Sequence, residues 1–392
     1  MPVIRNCKLY NAPDSAGLVD ILVENHAIAQ IGASETDSTL PTMFDARGRT
    51  VIPGMIDVHI HGAGGAGIAD GSLESLQTLA TTIARQGTTS FLGTTLVTPE
   101  TSHAHLAIAG QYVGQDLGGA NFLGIHLEGP FINRKHLGGI HPSAVYPPTE
   151  AALTELIEMT NGTLRMMTLA PELDGGLDMV ARLIHHDIIP SFGHSHATYE
   201  ETRAAFDAGI THVTHIFNTM PSLHHRNPGP IPAIFERPEV TVQIISDGVH
   251  LDQEIVNFIY RQLGGERCVL ITDGMFVCGL PEGRYEYYGR EFDTTGGAAR
   301  YLDGTLIGST RSLHQMMTHF MAFTGCSLET AVNTVTIQPA KVLGIAHRKG
   351  VLEAGKDADI VVLDRDGAIW ATVVGGTVVY RKELETPALK AG

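Results

Sequence analysis

The sequence predicts an α/β protein: a (β/α)8 barrel of the TIM type with a small β-sandwich domain built from both chain termini. Three observations lead there. Between about residues 51 and 345, strand-like and helix-like segments alternate, and eight strand-like segments can be distinguished. Both ends of the chain are instead rich in short β-branched runs separated by turn residues. Histidines and acids recur where the strand-like segments of the middle stop, which is where such barrels place their chemistry.

The elements follow in order. Near the start, Ile21–Val23 and Ile28–Ile31 flank a turn at 24–26, and Gly32 follows. Near the end, Ile360–Leu363, Ala371–Val374 and Thr377–Tyr380 are separated by Asp-Gly and Gly-Gly turns. Two β-rich ends around a different middle predict one domain from residues 1–50 plus 346–392, with the barrel over 51–345. Barrel strands are expected to end near His61, Thr95, Glu128, Ala170, His194, His215, Asp247 and Asp273. Helices are expected over 72–86, 99–114, 150–159, 177–186, 198–208, 253–263 and, after a long insertion, about 312–323.

Composition narrows the function. The 392 residues exceed one small core, and 43% hydrophobic with 17% charged residues describes a globular chain. The formal net charge of −16, with no block of Lys or Arg, disfavours nucleic acid and anionic membrane surfaces as partners. An anionic small molecule remains compatible if a few local cations meet it. No apolar run is long enough to span a membrane, and the opening MPVIRNCKLYNAPD lacks the layout of a signal peptide. Cys7, Cys268, Cys278 and Cys326 are scattered without metal-type spacing. A cytoplasmic location with reduced thiols is therefore expected. Twenty histidines beside 26 Lys+Arg suggest a metal or proton-transfer site, with many bystanders among them.

The stretch VIPGMIDVHIHG ends a buried strand in two histidines. Residues i and i+2 of a strand share a face, so His59 and His61 point together. Alone, the pair fits either part of a divalent-metal site or a strand cap beside a solvated ring. The other strand ends tip the balance: Glu128 in HLEGP, His194 in SFGHS, His215 in THVTH and Asp273 in LITDG all project from the same mouth. Burying two acids there without cations would be costly. Two divalent ions bridged by Glu128 resolve the charge. His59, His61, Glu128 and Asp273 would hold one; Glu128, His194 and His215 would hold the other.

The segments PGMIDVHIHG, HLEGPFIN, GHSHA, THIFNTM, SDGVHLD and LITDGM resemble the motifs of N-acetylglucosamine-6-phosphate deacetylases of the amidohydrolase superfamily. The resemblance runs along nearly the whole chain, including GLPEGRYEYYG and the closing GKDADIVVLD. It implies hydrolysis of an N-acetyl amide to acetate and a free amino sugar phosphate, with Asp273 as general base and then general acid. It also implies that His141, in GGIHP, hydrogen-bonds the substrate near the reacting carbonyl. Phosphate recognition would use Arg226 and His250, assisted by backbone amides around Asn218 and Thr219. The arginine would reach in from a neighbouring subunit, so a homodimer is expected, and a guanidinium suits phosphate by donating two parallel hydrogen bonds. Some relatives lack the first His pair and keep one metal; this chain has both, so two ions are expected. His/carboxylate sites accept Zn, Fe, Mn or Co.

The chain departs from the family pattern at Thr219, where Ala is common, at Tyr287-Tyr288-Gly289, and at Leu306-Ile307-Gly308-Ser309. Ile307 is expected near the sugar, where it could alter the preferred hexosamine. The galactosamine and mannosamine epimers therefore remain open as substrates.

Rival readings are weaker. Gly62–Gly67 fits G-x-G-x-x-G, yet the next strand, TTSFLGTTL, ends without the acid that would hold a ribose. His103 and His105 fall in a helical stretch, where i and i+2 diverge, and are expected on a solvated face. His196 is an alternative to His194 as ligand. A cyclic-amide hydrolase of the dihydroorotase kind would bring a lysine to a strand end, and none is there. An inactive scaffold would have lost ligands, and none is missing.

Overall fold

The structure, a computed structural model, describes residues 1–13, 15–33, 39–97, 103–287 and 289–382. The start of the helix expected from residue 99, Tyr288 and the final segment 383–392 lie outside the described residues.

Eight parallel strands pair in chain order: Met55–Ile60, Thr88–Thr95, Asn121–Glu128, Leu164–Leu169, Ile189–Phe192, His212–Val213, Thr241–Ile244 and Cys268–Leu270. The first two are buried at every position, as expected where helices cover the outside and side chains fill the inside. The ring closes beyond the last strand. Asp273 N–H donates to the His59 carbonyl and His61 N–H to the Gly274 carbonyl, both at 2.9 Å.

Several strands stop earlier than the sequence suggests. The sixth ends at Val213, the seventh at Ile244 and the eighth at Leu270. His215, Asp247 and Asp273 therefore lie in the loops beyond the ladder. The backbone explains the early exit: φ is +48° at His194, +24° at His215 and +47° at Asp273. A strand cannot continue through left-handed residues, and each costs roughly 1–3 kcal/mol unless its surroundings hold it.

Outer helices begin where a side chain can cap them. Ser72, Thr149, Thr198, Asp252, Ser312 and Ser327 each accept a hydrogen bond from a first-turn amide. Such caps contribute about 1 kcal/mol apiece. Helices Leu73–Arg85, Tyr199–Asp207 and Leu313–Thr324 thus start just after the expected positions. The sequence reading passes over three helices, Ile231–Glu236, Leu328–Val335 and Ile337–Val342, of which the last two pack against the first and eighth strands.

The long insertion is a four-stranded antiparallel sheet: Gly283–Tyr287, Arg290–Thr295, Ala298–Tyr301 and Leu306–Ser309. Its own small core centres on Met275, Val277, Phe292, Ala299 and Tyr301.

The chain ends share one sheet. Its order is Thr377–Arg381, Ile369–Val374, Ile360–Leu363, Thr50–Pro53, Val3–Leu9, Val19–Glu24, Ala27–Ala33, and Thr42–Asp45 also pairs with Val3–Leu9. Asn25 and His26 (φ +50° and +67°) make the tight turn of its first hairpin. Its core holds Ile4, Ile21, Val23, Phe44, Val362 and Trp370, with Phe44 edge-on to Trp370 at 5.5 Å. Strand Thr50–Pro53 pairs with Ile360–Leu363, so this sheet runs past residue 50, into the start of the range expected for the barrel. Gly54 joins that strand directly to the first barrel strand. A Cβ there would lie 2.1 Å from Thr89 Oγ1, so no side chain fits.

Candidate active site

Six of the predicted residues meet at the C-terminal mouth of the barrel. Glu128 is central. Its Oε1 lies 2.9 Å from His215 Nε2, 3.0 Å from His194 Nε2 and 3.5 Å from His59 Nε2. Its Oε2 lies 3.4 Å from His61 Nε2. Asp273 Oδ1 is 3.4 Å from His59 Nε2 and 3.3 Å from His61 Nε2. His194 Nε2 and His215 Nε2 are 3.2 Å apart.

These atoms fit divalent ions. Two ligand atoms, each about 2.1 Å from a tetrahedral ion, stand roughly 3.4 Å apart. The contacts around His59 and His61 have that separation, too long for good hydrogen bonds and short enough to share an ion. His59 Nε2 is buried without a hydrogen-bond partner, an orphaned lone pair aimed at the two carboxylates. Two groups have the donor set and spacing for a metal: His59, His61 and Glu128, and Glu128, His194 and His215.

The electrostatics favour cations. Burial works against charge on Glu128 and Asp273, but His59 and its neighbours hold both well below the usual carboxylate range. Burial also opposes charge on His61, yet the nearby carboxylates of Asp273 and Glu128 raise it to about 10. His59, by contrast, is lowered by burial. His194 is oriented by a main-chain contact: its Nδ1 lies 2.8 Å from the His136 carbonyl, which leaves Nε2 for the cluster.

A cavity of about 290 Å³ opens above the cluster. Asn218, Thr219, His250 and Ile307 all line it. His250 Nδ1 is 2.6 Å from Asp247 Oδ2, which leaves its Nε2 for a ligand. Burial raises the Asp247 pKa, but bonds from His250 and from the Val249 and His250 amides bring it below the ordinary value. His141 is not brought in: it is exposed, with Nδ1 2.7 Å from Ser143 Oγ, although its neighbour Ile140 lines the cavity. Arg226 is exposed beside His225 and does not border the cavity of its own chain.

The rival motifs find other uses. Gly62–Ala63 and Ala66–Gly67 form a two-residue hairpin. The amides of Gly62, Gly64 and Gly65 donate to the carbonyls of Gly274, Cys278 and Phe276, so none is left to cradle a phosphate. His196 pairs with His136 at 2.8 Å, away from the cluster. His105 is not on a solvated face: it is half-buried, with Nε2 3.2 Å from Thr95 Oγ1. No lysine lines the cavity among the described residues.

Sequence reading missed the polar layer beneath the cluster. His126 is fully buried between Thr94 and Thr168, edge-on to the His59 ring at 4.7 Å. Asp57 accepts from the His59 amide and from Thr272 Oγ1, and burial raises its carboxyl to about 7. Asp57 was legible: in DVHIH it shares the inward face of His59 and His61. Sequence reading also missed the insertion's contribution of Tyr287, Tyr301 and Thr305 to the cavity wall.

The sequence profile of the amidohydrolase family matches residues 50–379. The N-acetylglucosamine-6-phosphate deacetylase of Bacillus subtilis (strain 168) is 35% identical over 335 residues, 84% of this chain and 84% of that protein. The N-acetylgalactosamine-6-phosphate deacetylase of Escherichia coli O157:H7 is 37% identical over 314 residues, 80% of this chain and 83% of that protein. Among solved structures, a mutant N-acetyl-D-glucosamine-6-phosphate deacetylase from Mycobacterium smegmatis, in complex with N-acetyl-D-glucosamine-6-phosphate, superposes with a TM-score of 0.85 at 32% identity. That match covers 93% of this chain and 95% of that one. The chain therefore belongs to the amidohydrolase family and, within it, to the N-acetylglucosamine-6-phosphate deacetylases.

Proposed function

We propose that this protein hydrolyses the N-acetyl group of N-acetylglucosamine-6-phosphate, giving glucosamine-6-phosphate and acetate. The observation that carries the reading is the convergence of four histidine Nε2 atoms and two ionised carboxylates at the floor of a cavity walled by Asn218, Thr219 and His250.

His59, His61, Glu128 and Asp273 would hold one divalent ion, and Glu128, His194 and His215 a second, of Zn, Fe, Mn or Co. When bound, such ions lower the pKa of water from about 15.7 towards about 7 and polarise the acetyl carbonyl. Asp273, held ionised, accepts the proton of the attacking water and returns it to the departing amine. Glu128 stays anionic and balances cationic charge in both groups. The Thr219 amide and His250 Nε2 would position the phosphate end, the Asn218 amide being already bonded to the His215 carbonyl at 2.9 Å, and His141 in its loop would close on the acetyl end. Arg226, exposed on its own chain, would reach the phosphate of a partner's substrate in a homodimer. A cytoplasmic setting suits a phosphorylated substrate of this kind.

A second reading is the galactosamine epimer. It is favoured by the likeness to the N-acetylgalactosamine-6-phosphate deacetylase of Escherichia coli O157:H7, and Ile307, which packs close to Gly139 at the cavity wall, is a residue that would contact the sugar. The test is acetate release from a panel of N-acetylhexosamines, with and without the 6-phosphate, after loading with each metal. Turnover confined to 6-phosphates, fastest for the glucosamine compound, is expected. Faster turnover of the galactosamine epimer would move the assignment to it, and no acetate from any sugar would remove the deacetylase reading. In the same assay Arg226→Ala should raise KM for phosphorylated sugar alone, by about 10- to 100-fold for a charged hydrogen bond of roughly 1.5–3 kcal/mol.

A further inference from the structure

His59 Nδ1 lies 3.0 Å from Gln243 Oε1, on the seventh strand. The donors in this contact can be assigned. The backbone N–H of His215 can only donate, and it points at the same Gln243 oxygen, 3.4 Å away. The other end of the amide faces Met166 Sδ at 3.7 Å, which can only accept. The amide is thus held one way round, with its oxygen towards His59. His59 must then carry its proton on Nδ1 and leave Nε2 bare.

The constraint continues downward. The Gln243 NH2 lies 3.1 Å from His212 Nε2, which must accept. His212 then donates from Nδ1 to Thr241 Oγ1 at 2.7 Å, and Thr241 passes its own hydrogen to the Thr211 carbonyl at 3.2 Å. Every donor in this file points the same way, from the metal-facing ring to the barrel floor. The upper part of this file is buried, Gln243 and His59 at 0% and His212 at 1% exposed, and it reaches the surface at Thr241 and Thr211. A buried glutamine on a barrel strand costs stability unless all its hydrogen-bonding groups are used, and here they are.

We propose that Gln243 and His212 are positioning residues that fix the tautomer and ring orientation of His59, so that its Nε2 is presented as a ligand before any ion arrives. This rests on the metal-site reading above and assigns a task to residues outside the cluster. Loss of such an outer hydrogen bond typically weakens metal binding by about 10- to 100-fold.

The test begins with metal-free wild-type protein. Long-range ¹H–¹⁵N spectra report the His59 tautomer directly, with the resonance assigned by its loss in His59→Gln. A proton on Nδ1 is expected; a proton on Nε2 would overturn the proposal without any variant being made. Gln243→Leu should release the fixed tautomer. It should also weaken one of two zinc equivalents by about 10- to 100-fold in competition with a chelator, leaving the other unchanged. Gln243→Glu should rescue both readouts: a carboxylate still accepts from His59 Nδ1, and His212 can turn donor towards its second oxygen. Unaltered zinc binding in Gln243→Leu, or no rescue by Glu in folded protein, would also overturn it. If Gln243→Leu does not fold, the wild-type spectrum and Gln243→Glu decide. A negative sugar panel would remove the deacetylase assignment and leave this inference standing.

Discussion

The two halves of the proposed metal site share Glu128 and differ in spacing, exposure and support. Around His194 and His215 the ligand atoms crowd to 2.9–3.2 Å, and both rings are 4% exposed. Around His59 and His61 they stand 3.3–3.5 Å apart, and His61 and Asp273 are 12% and 14% exposed. The compact half is oriented by main chain, through the His136 carbonyl, and by the left-handed backbone of its two histidines. The looser half is oriented by side chains, from Gln243 below and Asp57 beside it. The tighter spacing and lower exposure of the compact half predict the firmer hold on a cation. Both halves border the cavity, the compact one through His194 and His215 and the looser one through His61 and Asp273; the looser half also holds the proposed proton-transfer group, Asp273.

Removing the shared residue should erase the distinction. Glu128→Gln is expected to lose both ions by elemental analysis and to reduce kcat/KM by roughly 10⁴-fold or more, since several kcal/mol of charge stabilisation vanish. Asp273→Asn should touch the looser half alone: substrate still binds, while kcat falls by roughly 10²- to 10⁴-fold, the usual worth of a positioned general acid–base. Near-normal turnover in that variant would take Asp273 out of the proton path. His61→Ala should reduce bound metal by about half and spare the compact site, which keeps its three ligands. The smallest effect needs no mutation. Graded chelator should remove metal in two steps, the first ion leaving from the looser half. A single cooperative loss would mean that the halves do not differ in hold.

Much of this was legible because the barrel imposes period and direction. His59-x-His61 at the end of an apolar run announces two rings on one face, and Glu128 after HL does the same for a carboxylate. The left-handed turns at His194, His215 and Asp273 were not legible. No local pattern marks a histidine for φ above zero; the surrounding loops impose it. Gln243 was invisible for a related reason. Alone in VTVQIISDG it reads as one polar residue in a strand, and its meaning appears when His59 and His212, distant in sequence, stand on either side of it. The insertion sheet hid behind short strands and turns, although Ile307 within it was singled out. The helix caps at Ser72, Thr198 and Ser312 were readable to within one residue because capping is local chemistry.

One joint in the molecule has a reach beyond its size. Gly54 is the only residue between the sheet strand Thr50–Pro53 and the barrel strand that ends next to His61. Its amide is held by the Asp359 carbonyl, and Asp359 is in turn gripped by the buried Lys349. The tail of the polypeptide thus acts as a splint on the strand that presents the paired imidazoles. Weakening this anchor, as in Lys349→Met, should therefore be felt at the distant catalytic mouth as a slackened hold on metal, read by chelator competition.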